Sequence, residues 1–118
     1  MTPLMHSLVV CLRAGRFPLE DEKTTQSAIE QRLRSHGFGC CREQRIVGGI
    51  IDFLVDDSIG IEVKIKGQPS AIVRQIKGYT AEPSISGIIL ITSKPVPLCP
   101  TMIREKPIVV VDMARAWL

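Results

Sequence analysis

No stretch of this 118-residue sequence approaches the roughly 20 consecutive apolar residues that cross a bilayer. The one N-terminal apolar run, Leu8-Val9-Val10-Cys11-Leu12, has no basic stretch before it and no small-residue cleavage site after it, so it makes a poor secretory signal. The expectation is a cytoplasmic or nucleoid-associated protein with no membrane partner. Four cysteines are present (Cys11, Cys40, Cys41, Cys99), with no Cys-x-x-Cys spacing and no His pair near them. That argues against zinc and for reduced thiols, with Cys40 and Cys41 buried or half-buried. His6 and His36 stand alone and read as helix-surface residues. The sequence has no Gly-rich phosphate loop, no dinucleotide fingerprint and no nucleophile elbow, which leaves nucleotide-driven and serine-hydrolase chemistry without support. It also has no internal repeat, no low-complexity tract and no interdomain linker.

What is there fits one domain with one core. Apolar residues make up 45% and charged residues 23%, ordinary proportions for a soluble globular chain of this length. The formal net charge of +3 neither demands nor excludes nucleic acid. Distribution says more. Basic residues recur at Arg13, Arg16, Arg32, Arg34, Arg42, Arg45, Lys64, Lys66, Arg74 and Lys77, while acids cluster at Glu20-Asp21-Glu22 and Asp56-Asp57. A basic track around an acidic pit would suit a phosphodiester substrate.

Apolar spacing at Leu4, Met5, Leu8, Val9 and Leu12 predicts a helix over 4–14, ended by Gly15. A second helix is expected over 21–36, with Ala28, Ile29 and Leu33 inward and Gly37 as its stop. Glu22 lies in its first turn, with Gln26 one turn on along the same face. A strand over 42–47 leads to Gly48-Gly49. A helix over 70–80 places Ile72, Gln75, Ile76 and Tyr79 on one stripe, so Gln75 points toward the sheet. Residues 87–92 read as a strand covered on both faces and 108–112 as a last buried strand, separated by a proline-rich irregular excursion. Trp117 is expected to anchor the C-terminus. The order of elements predicts an α/β sandwich with a mixed central β-sheet flanked by helices.

The segment 49–65 carries the chemistry. Two β-branched runs flank a polar turn, and a turn centred on Asp57 sets Asp52 opposite Glu62 and Ile50 opposite Lys64. Side-chain alternation then gathers Asp52, Glu62 and Lys64 on one face and Ile51, Phe53, Val55, Ile59, Ile61, Val63 and Ile65 on the other. Carboxylates opposed across two strands repel unless a cation lies between them. Mg²⁺ takes oxygen ligands, commonly one or two carboxylates plus substrate phosphate.

Asp52 on an apolar strand, followed by Glu62-Val63-Lys64, resembles the signature of the PD-(D/E)XK nuclease superfamily. Gln75-Ile76-Lys77-Gly78-Tyr79 is similar to the Gln-x-x-x-Tyr element of several branches. Glu22-Lys23-Thr24-Thr25-Gln26 resembles the Glu-x-x-x-Gln that opens the first core helix of virus-type replication-repair (VRR-NUC) nucleases. The resemblance spans about residues 20–95. One departure is Ile51, where the signature has Pro before the Asp.

The resemblance implies a restriction-endonuclease-like core. In it, residues 1–19 form a helical extension, 20–95 the catalytic core and 96–118 a C-terminal strand and tail. It implies a Mg²⁺-dependent DNA endonuclease, with Mn²⁺ able to substitute. Asp52, Glu62 and the Val63 carbonyl would hold the metal, Lys64 would position the attacking water, and Gln75 would orient phosphate or nucleophile. Glu22 would supply the extra carboxylate, with Glu30 and Glu43 as rivals. Gln26, Tyr79, Lys66 and Arg74 would contact substrate or support the site. Branched DNA such as a Holliday junction is the implied substrate, in repair, recombination or phage settings. A homodimer or higher oligomer is implied too, with Leu8, Val9 and Leu12 as candidate interface residues. The competing expectation is a non-catalytic DNA-binding or structural subunit of the same fold.

Overall fold

Thr2 opens the first helix of the computed structural model, which describes residues 1–116. Its hydroxyl accepts the Met5 N–H at 3.2 Å and Pro3 fills the first turn, so α1 runs Pro3–Ala14. Asp21 caps α2 (Glu22–Ser35) by accepting the Thr24 N–H at 2.8 Å. That bond favours the charged form and lowers the Asp21 pKa. Gly37 (φ +84°) ends α2, as its composition predicts. The Phe38 N–H reaches the Leu33 carbonyl at 2.9 Å and the Gly37 N–H the Arg34 carbonyl at 3.1 Å, a Schellman closure.

Strands β1 (Cys40–Ile46), β2 (Gly49–Val55) and β3 (Ile59–Lys64) form an antiparallel meander. Helix α3 (Pro69–Tyr79) then carries the chain to β4 (Gly87–Thr92), parallel to β3. The proline-rich excursion contains a two-residue strand, β5 (Met102–Ile103), that sequence periodicity does not reveal. β6 (Lys106–Asp112) begins two residues before its expected start and runs parallel to β4, and α4 (Met113–Ala116) follows. The mixed six-stranded sheet has the order β1-β2-β3-β4-β6-β5. Trp117 lies outside the described residues, so its expected anchoring role does too.

Helices α1 and α2 cover one face. Met5, Leu8, Leu12, Ile29 and Leu33 pack there against Phe53, Val55, Ile61, Val63, Ile89 and Val111. Helix α3 covers the other, with Ile72, Ile76 and Tyr79 against Leu54, Ile88, Leu90 and Ile108. The result is an α/β/α sandwich. Leu8, Val9 and Leu12 are therefore core residues and not an interface, and α1 shares its core with α2 and the sheet. Cys40 is buried as expected, but Cys41 is exposed on edge strand β1. Among the described residues no helix is long and apolar enough to cross a membrane.

Candidate active site

The β2–β3 turn sets the site. Asp56 and Asp57 both have left-handed φ (51° and 53°), and the Ser58 N–H closes on the Val55 carbonyl at 3.0 Å. This is the backbone of a type I′ hairpin turn, which short acidic residues tolerate. Pairing then runs Val55 to Ile59, Leu54 to Gly60 and Phe53 to Ile61, the register expected from the sequence.

Beyond Phe53–Ile61 the ladder stops. Continued regularly, it would set Ile51 opposite Val63 and Asp52 opposite Glu62. Instead the carboxylates themselves bridge the strands. Asp52 Oδ2 accepts the Val63 N–H at 2.8 Å, and Glu62 Oε1 accepts the Asp52 N–H at 3.0 Å. The β1–β2 ladder also skips a pair here, between Glu43 and Asp52, and Glu43 has φ +52°. This double break corrects the strict alternation read from sequence. Ile51 does not join Phe53 and Val55; it packs with Ile72, Ile76 and Tyr79 in the α3 layer.

Glu62 is the centre of the cluster and only 2% exposed. Strand alternation alone implies a wetter pit, but α3 lays Tyr79 over it. The Tyr79 hydroxyl sits 2.8 Å from the Ile50 carbonyl and 3.2 Å from Glu62 Oε2, and accepts the Gln75 amide N–H at 2.9 Å. A hydroxyl has one proton to give. With that proton on the Ile50 carbonyl, a protonated Glu62 donates to the Tyr79 oxygen and every partner is satisfied. Burial, then the Asp52 charge, raise the Glu62 pKa from 4.5 to about 8. Burial raises Asp52 as well, against the Val63 N–H, which lowers it. Burial and the Glu62 charge raise the Tyr79 phenol.

Lys64 lies two residues along β3 and its side chain is 25% exposed, with Nζ 3.6 Å from Glu62 Oε2. It shares a row with Thr92 and Asp112 at the carboxyl ends of the parallel strands, where open α/β sheets bind ligands. Val63 donates its N–H toward β2, and an extended residue points its carbonyl to the same side.

The other expected residues divide. Glu22 reaches β3 from the first turn of α2, but its Oε1 accepts the Ile65 N–H at 3.1 Å. Gln26 is buried and accepts from Arg42 Nη2 at 2.7 Å. Glu30 pairs with Arg34 at 3.0 Å and Arg42 at 3.3 Å. Glu43 is exposed and pairs with Lys23 at 3.4 Å. Lys66 and Arg74 are exposed and make no hydrogen bond to the acid pair. Arg42 is held in an internal pair, Arg34 pairs with Glu30 while staying exposed, and Arg32 donates to the Cys11 carbonyl at 2.7 Å.

Sequence reasoning missed two contributors. Arg42 links α2 to β1 and lies over the Phe53 ring at 5.4 Å; its only signal was a charged residue on a strand facing Gln26. Gly48 holds the β1–β2 turn against α3; its signal was the Gly48-Gly49 pair itself.

Among the described residues no three His, Cys, Asp or Glu side chains gather in a metal-holding group. Asp52 and Glu62 stand as two donors. Two hard oxygen donors on neighbouring strands fit a divalent cation, whose charge would favour the ionised form of both against their burial. Comparisons of the chain with protein-family models, curated proteins and solved structures found no match.

Proposed function

We propose that the chain is a metal-dependent DNA endonuclease with a restriction-endonuclease-like core of the PD-(D/E)XK kind. One observation carries this reading. Two acids and a lysine meet where β2 and β3 part, with each acid taking a backbone N–H of the opposite strand and Lys64 3.6 Å from Glu62. Asp52, Glu62 and the Val63 carbonyl would hold Mg²⁺ or Mn²⁺. Such an ion, when bound, polarises a phosphodiester and activates water. Lys64 positions that water and balances negative charge developing on the phosphate. Tyr79 and Gln75 fix the orientation of Glu62, and Glu22 is the remaining carboxylate at the rim of the site. The proposed substrate is branched DNA, the substrate implied by the resemblance of Glu22–Gln26 to the opening of the virus-type replication-repair core helix. A two-fold dimer would offer one site to each of two strands.

The test is cleavage of linear, flapped and four-way-junction DNA in Mg²⁺ and in EDTA. Cutting is expected in Mg²⁺ alone, and Asp52→Asn or Lys64→Ala should each reduce it by about 100-fold or more. Cutting that survives both substitutions, or EDTA, rejects the reading.

A second reading has its own observation. Asp52 and Glu62 replace ladder hydrogen bonds, so they also act as a staple between strands. In a non-catalytic DNA-binding subunit that would be their only role. Metal-indifferent DNA binding without cutting would favour it.

A further inference from the structure

We propose that the β1–β2 turn is an apolar wedge that occupies the gap left by an unstacked base beside the scissile phosphate; this rests on the nuclease reading above. Val47 and Ile50 are 50% and 48% exposed, two of only six large apolar side chains so exposed among the described residues. Val47 lies in the two-residue turn closed by the Ile46–Gly49 pair, and Ile50 follows it at the start of β2, opposite Arg45. Ile50 stands two residues from Asp52, about 7 Å along an extended strand. Rise along a DNA strand is about 3.4 Å per nucleotide. A phosphate at the acid pair therefore brings Ile50 within about two base steps of the bond to be cut.

The turn is built rigidly. The Val47 N–H bonds to Glu82 Oε1 at 3.2 Å, and the Ile50 carbonyl accepts from the same Tyr79 hydroxyl that contacts Glu62. A Cβ on Gly48 would come within 2.5 Å of the Gly78 carbonyl carbon, so turn and helix already touch backbone to backbone. Exposed β-branched side chains on a fixed support, wired to the acids, suit a part that must not yield. Arg45, exposed and paired with Ile50 across the ladder, offers a charge for a flanking phosphate.

Energetics choose the occupant. Wedging a side chain into continuous duplex costs a few kcal/mol per unstacked step. At a branch point the step is already open and that cost vanishes. Val47 and Ile50 are short, so they fill an existing gap more readily than they create one. The wedge thus makes the site prefer branched over continuous DNA without reading any base.

The experiment measures binding in EDTA to a four-way junction and to a duplex of the same sequence, each with 2-aminopurine at the corresponding position. Wild type should bind the junction in preference to the duplex, with a change in fluorescence at the branch as the side chains fill the gap. Val47→Ser with Ile50→Ser should lower the junction-over-duplex preference about 10-fold with an unchanged melting temperature. Val47→Ile with Ile50→Leu should retain the preference. A serine double variant that keeps it overturns the proposal. So does a loss of self-association in that variant with no change in DNA preference, which would mark the turn as a contact between copies. Branch-specific binding with no Mg²⁺-dependent cutting would uphold the wedge and defeat the nuclease reading. Cutting with equal preference for both DNAs would do the reverse, and absence of DNA binding would defeat both.

Discussion

A carboxyl enclosed beside a second carboxyl holds its proton more tightly than it does in water. Glu62 is that group, raised from 4.5 to about 8 by burial and then by Asp52. In the unfolded chain it ionises at its ordinary value. Between the two pKa values the folded chain binds more protons than the unfolded one. Its contribution to stability is therefore complete below about pH 4.5 and is lost as pH rises toward about 8, at up to about 1.4 kcal/mol per pH unit. The Asp52 carboxyl shifts the same way, also by burial first. Urea unfolding of the metal-free protein should show stability falling from about pH 5 to about pH 8. Glu62→Gln keeps the shape without the charge and should flatten most of that slope. Equal slopes in variant and wild type would mean that Glu62 ionises normally in the folded state.

At the scale of elements, the site exists because α3 is locked to the β1–β2 turn. Gly48 has φ +92°, and a Cβ there would lie 2.5 Å from the Gly78 carbonyl carbon and 2.9 Å from the Tyr79 nitrogen. Alanine at 48 must therefore push turn and helix apart while also paying for a left-handed backbone. A cost of about 1–3 kcal/mol is expected, with a matching loss of the proposed cutting as Tyr79 leaves Glu62. Gly78 is the internal control. A Cβ there meets Gly48 Cα at 3.5 Å, an ordinary contact, so Gly78→Ala should be neutral or stabilising by up to about 1 kcal/mol. Thermal unfolding of the two variants checks the contrast, and equal effects would refute it. This lock also marks the limit of what could be read from sequence. The Asp56-Asp57 turn and the parity of β-branched residues specify register locally, so the Asp52–Glu62–Lys64 grouping was legible. The helical stripe likewise brought Gln75 and Tyr79 to the sheet. The reversal of Ile51 was not legible, because it depends on a left-handed Glu43 in β1 and on Tyr79 drawing the Ile50 carbonyl away. The depth of Glu62 was hidden for the same reason: a side chain 17 residues away covers it.

For the whole molecule, the question is which surfaces are finished. The β1 edge is blunted. Glu43 kinks it, Arg34 Nη2 covers the Cys40 carbonyl at 2.9 Å, and Gln44 Nε2 covers the Arg42 carbonyl at 2.9 Å. These devices discourage pairing with a second sheet. The other edge, β5, is two residues long. The α1 face is closed as well, since Met5, Leu8 and Leu12 are wholly buried against the sheet and α2. Periodicity in α1 revealed an apolar face but not what covers it, and the covering turns out to be the chain's own core. Leu8→Ala should then cost about 2–5 kcal/mol, as a cavity in a packed interior does. Exposed Val10, on the opposite side of the same helix, should tolerate serine within about 0.5 kcal/mol. Neither substitution should change the mass measured by sedimentation at concentrations where the protein is folded. A Leu8→Ala protein of wild-type stability but altered oligomeric state would mean that α1 leaves the core to meet another subunit.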